Sequence, residues 1–347
     1  MQTTTLPSNV QIVDPERNAV LTSLPDRGAE PAWSSSAVKT NRHDDTAEQP
    51  FVVVQSEFLD SPVLRFCTED GAPKKITISK IFMPKSPDRN YKSEVILPNP
   101  DIVTANGGVN YGDGALFCSQ GQGNIACAFI YMDIKPPRPF NDPNDVVVPP
   151  IDGSIRFTDP NYGIVQGYRS LRVVADGLSL PNGIAFSHDC KVCYITDTST
   201  YDGTGGLIDH AEATIYAYDI VRSTGSTRPD RPYVLVNRRV FACADCGAPD
   251  GIKVDLDGNV YTGCLDGVQV WDSDSVLIGK ILVPGGVANF CFTDPGVLLL
   301  FNENRIYEAR LTPLVVQFGI PTCPLYKNLR DRNSRTDRQH SRTRNII

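Results

Sequence analysis

The chain has 347 residues and a mass of 38.0 kDa, with 27 glycines, 27 prolines, 41% hydrophobic and 21% charged residues. This is an ordinary globular composition, and the length allows two or three domains or one large β architecture. A formal charge of -7 argues against a surface built for phosphate backbones, and no apolar run approaches the roughly 20 residues that span a bilayer. Neither nucleic acid nor membrane is therefore expected as a partner.

Residues 1–50 show no period and read as an irregular N-terminal segment. The start, Met1-Gln2-Thr3-Thr4-Thr5-Leu6-Pro7, has neither the basic nor the apolar region of a secretory signal. A cytoplasmic location is expected, with secretion only if the true N-terminus differs.

Further along, five segments share one phase: Ala105-Asn106-Gly107, Pro143-Asn144-Asp145, Pro181-Asn182-Gly183, Pro249-Asp250-Gly251 and Ala288-Asn289-Phe290. Their Asn or Asp residues lie 38, 38, 68 and 39 positions apart. The first four are each followed by a short alternating run and then by a tight turn, at Asp113-Gly114, Asp152-Gly153, Asp189-Cys190 and Asp257-Gly258. Asp-Gly between alternating runs is a strong hairpin signal. A second strand then carries a recurring signature, seen in Phe157-Thr158-Asp159, Thr196-Asp197 and Tyr261-Thr262-Gly263. Strand-rich units of about 40 residues, each with an internal hairpin, predict the blades of a β-propeller. The long interval reads as an insertion of about 30 residues, between Ser199 and Cys246, inside one blade.

The cysteines add little chemistry. Cys190/Cys193 and Cys243/Cys246 are spaced as Cys-x-x-Cys, but the pairs lie too far apart for a zinc ribbon. Buried reduced thiols are the better reading. The only histidines are His43, His188, His210 and His340, and no nucleophile elbow, phosphate loop or zinc-protease motif is present.

The repeated position carries the functional signal. In a propeller the innermost strand of every blade lines a central channel, so a residue at the start of that strand falls on a ring around the axis. Asn106, Asn144, Asn182, Asp250 and Asn289 would thus converge as short oxygen donors, which suits a hard cation such as calcium. The plainer reading is that Asn and Asp simply open a strand after a turn. Turn chemistry alone explains less well why the position recurs in register while its flanks drift.

Four stretches resemble the SMP-30/gluconolactonase family, most of all its fungal lactonohydrolase branch. They are Phe140–Val148, Asp152–Gly163, Pro181–Ser187 and Pro249–Lys253, and the likeness runs from about Asn99 to Leu311. The resemblance implies an all-β, six-bladed β-propeller with one catalytic divalent cation, usually calcium, in its channel. It implies Asn182, Asp250 and Asn144 as metal ligands, with Asn144 also at the substrate. The implied reaction is hydrolysis of a small-molecule lactone, with Asp250 as the catalytic carboxylate that activates water. Asn106 and Asn289 share the phase and are expected as substrate-side channel residues.

The family's first blade supplies a further glutamate ligand. One period before Asn106 falls at position 68, beside Glu69, which becomes the candidate; Glu30 and Glu57 are weaker ones. The strands expected around Glu69 are not visible, and Ser170-Leu171-Arg172 replaces a turn and strand of the third blade. A shortened first blade is therefore expected. Without a first-blade glutamate the alternative is a non-catalytic propeller acting as a binding scaffold. A propeller phosphotriesterase, with a similar calcium cup, is a third reading. The domain reading is an irregular segment over 1–50, a propeller over 51–325 and a disordered Arg-rich tail over 326–347.

Overall fold

The computed structural model describes residues 19–23, 32–40, 51–57, 77–82, 92–97, 102, 105–111, 114–119, 124–127, 133–134, 140–141, 143–160, 163–167, 172–200, 208, 213–223, 233–293, 296–302 and 305–311. Every regular element among them is a β-strand, so none is a helix able to cross a membrane. The first strand, β1 (Ala19–Ser23), is followed by a sheet of β2 (Ala32–Thr40), β3 (Phe51–Glu57), β4 (Thr77–Phe82) and β5 (Lys92–Ile96). The next sheet holds β6 (Ala105–Tyr111), β7 (Gly114–Ser119), β8 (Asn124–Cys127) and β9 (Asp133–Ile134). It is followed by β10 (Val146–Val147), β11 (Ile155–Asp159), β12 (Gly163–Gly167) and β13 (Arg172–Ala175). The insertion-bearing sheet comprises β14 (Pro181–Phe186), β15 (Val192–Asp197), β16 (Thr214–Arg222) and β17 (Tyr233–Cys243). Then come β18 (Ile252–Val254), β19 (Val260–Cys264), β20 (Gly267–Trp271) and β21 (Leu277–Leu282), and finally β22 (Asn289–Phe292), β23 (Val297–Asn302) and β24 (Arg305–Leu311).

Each sheet is an antiparallel meander of four strands, and the last is completed by β1, which pairs with β24 from Ala19 opposite Leu311 to Ser23 opposite Tyr307. Joining the chain's first strand to its last sheet closes an arrangement that consecutive hairpins would leave open. The first strands of the sheets also meet in sequence: β2 touches β6, β6 touches β10, and so on through β14 and β18 to β22, which touches β2.

Two expectations change here. Residues 1–50 contribute β1 and β2, and residues 32–96, where no blade is legible, form a four-stranded sheet rather than a shortened one. The reason is that these strands are joined by connections of 10, 19 and 9 residues, so no tight two-residue turn marks their hairpins as it marks the later ones. The sheet containing Arg172 likewise keeps four strands. Glu69, Glu30 and the tail over 326–347 lie outside the described residues.

The hairpin chemistry follows the sequence. Gly153 and Gly258 take positive φ values of 64° and 89°, and Cys190, standing where the other turns have glycine, takes 55°. Strands in the body of a sheet are buried on both faces, so alternate residues serve opposite neighbours. Along β15, Cys193 and Ile195 pack with Val147 and Val174 of the preceding sheet, while Tyr194 packs with Ile252 and Trp271 of the following one. Tyr261, Phe290 and Leu300 form the next interface of the series. Cys190 and Cys193 are both buried, and burial pushes the Cys193 thiol up to about 12.

Candidate active site

The inner strands bring the repeated residues to a common end of their sheets. Asn106 is the second residue of β6 and Asn182 the second of β14, while Asn144 and Asp250 stand two residues before β10 and β18. All four are half-buried, neither sealed in the core nor fully solvated.

The recurring second-strand signature explains how these residues are held. Its aspartate anchors the segment that leads into the inner strand. Asp197 accepts hydrogen bonds from the amides of Ser179 (2.8 Å) and Leu180 (2.9 Å), just ahead of Asn182. Asp159 accepts one from the amide of Asn141 (3.1 Å), ahead of Asn144. Both carboxylates are buried, so these amide bonds also satisfy groups that would otherwise be costly.

Backbone register tests the five-fold phase directly. The amides of Asn144 and Asp250 donate to the carbonyls of Thr158 (3.0 Å) and Gly263 (2.9 Å) on their neighbouring strands. In the last sheet the equivalent bond runs from Ala288, to Phe301 (3.0 Å), not from Asn289. Asn289 is therefore one residue out of phase. It corresponds to Asp145: each side chain accepts the amide of its own following residue at 2.9 Å, Val146 for Asp145 and Phe290 for Asn289. At this second position the other inner strands carry Gly107, Gly183 and Gly251.

That comparison exposes a residue that the sequence reading passed over. Asp145 is 5% exposed, and its carboxylate also accepts the amide of Ile184 on the next sheet at 3.2 Å. Loss of solvation raises its pKa above the ordinary carboxylate value, with the Lys253 ammonium opposing. The available signal was an Asp where most repeats place Gly.

Asp250 sits beside it. Loss of solvation first, and repulsion from Asp145 second, push the Asp250 carboxyl up to about 7. Lys253 and a hydrogen bond with the Asn182 side chain act in the opposite direction. Lys253 itself reaches the carbonyl of Ile252 (3.0 Å) and the Oδ1 of Asn289 (3.3 Å). The structure thus joins Asn182, Asp250 and Asp145, and it places Asn289 on the lysine rather than in their group.

Two carboxylates that repel each other in a desolvated place, next to an amide side chain, form an all-oxygen donor set that fits a hard divalent cation. Among the described residues no three His, Cys, Asp or Glu side chains come together, so a further carboxylate ligand would have to come from elsewhere in the chain.

Comparison with known proteins identifies the family. Residues 102–301 match the SMP-30/gluconolactonase/LRE-like region. The chain is 33% identical over 188 residues to the lactonohydrolase oryH of Aspergillus oryzae, covering 49% of this chain and 36% of that protein. It is 26% identical over 198 residues to the gluconolactonase of Zymomonas mobilis, covering 51% and 52% respectively. The matched region thus spans from about a third to about half of the length of these relatives. The structure of a gluconolactonase from Xanthomonas campestris superposes with a TM-score of 0.60 at 23% identity, over 84% of this chain and 90% of that one, which shows a shared fold. With its repeat, its sheets and most of its length from Ile102 to Phe301 matched, the chain belongs to the SMP-30/gluconolactonase/LRE-like family.

Proposed function

We propose that this protein hydrolyses a small-molecule lactone in the channel of a six-bladed β-propeller that runs from β1 to β24. The observation that carries the reading is the Asp145–Asp250 pair with Asn182 at its side. A carboxylate with its pKa near neutrality is a competent general base at physiological pH. In this reading Asp250 takes a proton from the attacking water. Asp145 is fixed by the amides of Val146 and Ile184, and its carboxylate form raises the basicity of Asp250. Asn182 orients the Asp250 carboxylate, and Asn144 and Asn106 border the lactone.

Asn182, Asp250 and Asn144 would hold a divalent cation, with calcium the natural choice for such oxygen donors. When bound, the cation supplies polarisation of the lactone carbonyl and stabilisation of the developing oxyanion. Glu69 is proposed as the first-blade ligand on the strength of the family resemblance alone.

The test is hydrolysis of an aldonolactone, followed by pH titration, with added calcium, with excess chelator and with Asp250→Ala. Turnover that needs the cation and is lost in the variant supports the proposal. A folded protein without chelator-sensitive turnover would leave the scaffold reading in its place.

A further inference from the structure

Two buried threonines stand between the proposed donors in a pattern that the flanking β6–β10 and β18–β22 interfaces do not share. Thr158, fully buried on β11, accepts the amide hydrogen of Asp145 through its Oγ1 at 3.0 Å. The same hydroxyl donates to the carbonyl oxygen of Asn182 on the next sheet at 2.6 Å. Thr196, fully buried on β15, repeats the arrangement one sheet later. Its Oγ1 accepts the amide hydrogen of Gly183 at 2.7 Å and donates to the carbonyl oxygen of Asp250 at 2.8 Å.

The two neighbouring interfaces close without an intervening hydroxyl. Gly107 donates its amide hydrogen straight to the carbonyl of Asn144 at 2.7 Å, and Gly251 donates to the carbonyl of Ala288 at 2.9 Å. Strand register puts Cys118 and Gly263 at the positions of Thr158 and Thr196 there. One backbone bond on the outer interfaces is thus replaced, on the two inner ones, by two bonds in series through a hydroxyl. The hydroxyls thus tether the backbone carbonyls of Asn182 and Asp250 to the preceding sheet without spreading the strands, since a Cβ on Gly183 would crowd the carbonyl of Asp250 as closely as one on Gly107 would crowd that of Asn144.

We infer that Thr158 and Thr196 are positioning residues whose hydroxyls hold the backbone of Asn182 and Asp250 in the place from which their side chains donate oxygen. This rests on the cation-binding reading of the site. Each hydroxyl acts through the backbone carbonyl of the donor residue itself, so a change at the threonine moves the donor without touching cation or lactone. Removing a group that orients metal ligands typically weakens metal binding about 10- to 100-fold.

The experiment is calorimetric titration of the metal-free full chain with calcium, with the cation-free thermal unfolding of each variant recorded alongside. Thr158→Val and Thr196→Val keep the shape but lose both bonds, and each is expected to weaken calcium binding by about tenfold or more. Thr158→Ser and Thr196→Ser keep the hydroxyl and are expected to stay close to the parent. Thr158→Cys and Thr196→Cys carry a longer, weaker donor of the kind buried at Cys118, and should fall between. Thr293→Val removes an equally buried hydroxyl from the β22–β23 hairpin, where it serves only the carbonyl of Val297, and should bind calcium as the parent does. Calcium affinity unchanged in the folded Val or Cys variants, or a Ser variant as weak as its Val counterpart, overturns the inference. A parent chain that takes up no calcium overturns the cation reading first and the positioning role with it, which separates the two failures.

Discussion

The sector of the ring from β10 to β18 and the sector from β18 to β22 place polar side chains at the same strand ends, yet they treat charge in opposite ways. In the first, Asp145 and Asp250 face each other, and their repulsion helps to hold the Asp250 carboxyl near neutrality. In the second, the position of Asp145 is taken by the uncharged Asn289, whose Oδ1 receives Lys253. Lys253 acts on both sides, since it also lowers the pKa of the two carboxylates, but it does not offset their loss of solvation. The difference teaches that the ring is not a uniform set of donors: two carboxylates sharing a desolvated place stay perturbed beside one lysine, whereas an amide in the equivalent place leaves nothing to titrate.

The largest expected effect separates the two sectors by activity. Asp250→Asn removes the base and should lower kcat by a factor of about 100 or more. Asn289→Ala should leave kcat close to the parent and cost about 1 kcal/mol of stability, by stripping an acceptor from Lys253 and from the Phe290 amide. Steady-state kinetics with urea unfolding of both variants checks the contrast, and equal losses of kcat would break it.

A steric comparison comes next. A Cβ on Gly183 would meet the backbone carbonyl of Asp250 and the amide of Ile252, which cannot move independently of the next sheet. A Cβ on Gly251 would meet only the side chain of Asn289. Gly183→Ala is therefore expected to cost about 1–3 kcal/mol and to disturb calcium binding. Gly251→Ala should cost less, because the asparagine can swing aside. Urea midpoints and calcium titrations of the two variants give the order directly.

The smallest effect is a pH dependence. A carboxyl whose folded pKa is raised from 3.8 to about 7 contributes stability that is complete below its unfolded pKa and is lost as pH rises through the folded value. Under chelation, melting temperature should therefore fall between about pH 4 and pH 7, and calcium should reduce the fall because it favours the ionised form. Asp250→Asn should flatten the chelated profile. An Asp250→Asn profile identical to that of the parent would show that this carboxyl is not the one titrating.

Sequence and structure divide the site unevenly. Asn182 and Asp250 could be singled out because a position that recurs in phase keeps its place in every repeat: Asn182 is the second residue of β14 and Asp250 stands two residues before β18. Asn289 was misplaced by one residue, since Pro181-Asn182 and Ala288-Asn289 look alike on paper while only the amide bond from Ala288 to Phe301 reveals the true register. Asp145 was overlooked although it stands where Gly107, Gly183 and Gly251 stand elsewhere. Lys253 carries no signal at all until β18 and β22 are packed together.

By itself the sequence determined the hairpin unit, its period and the inner-strand position of the donors, because these depend on turn chemistry and alternation over a few residues. Only the tertiary structure decided which strand completes the last sheet, where the sheet before Asn99 lies, and which carboxylates share a desolvated space. Those depend on contacts between residues as far apart as Ala19 and Leu311, or Asp145 and Asp250, and no local pattern encodes the distance between them.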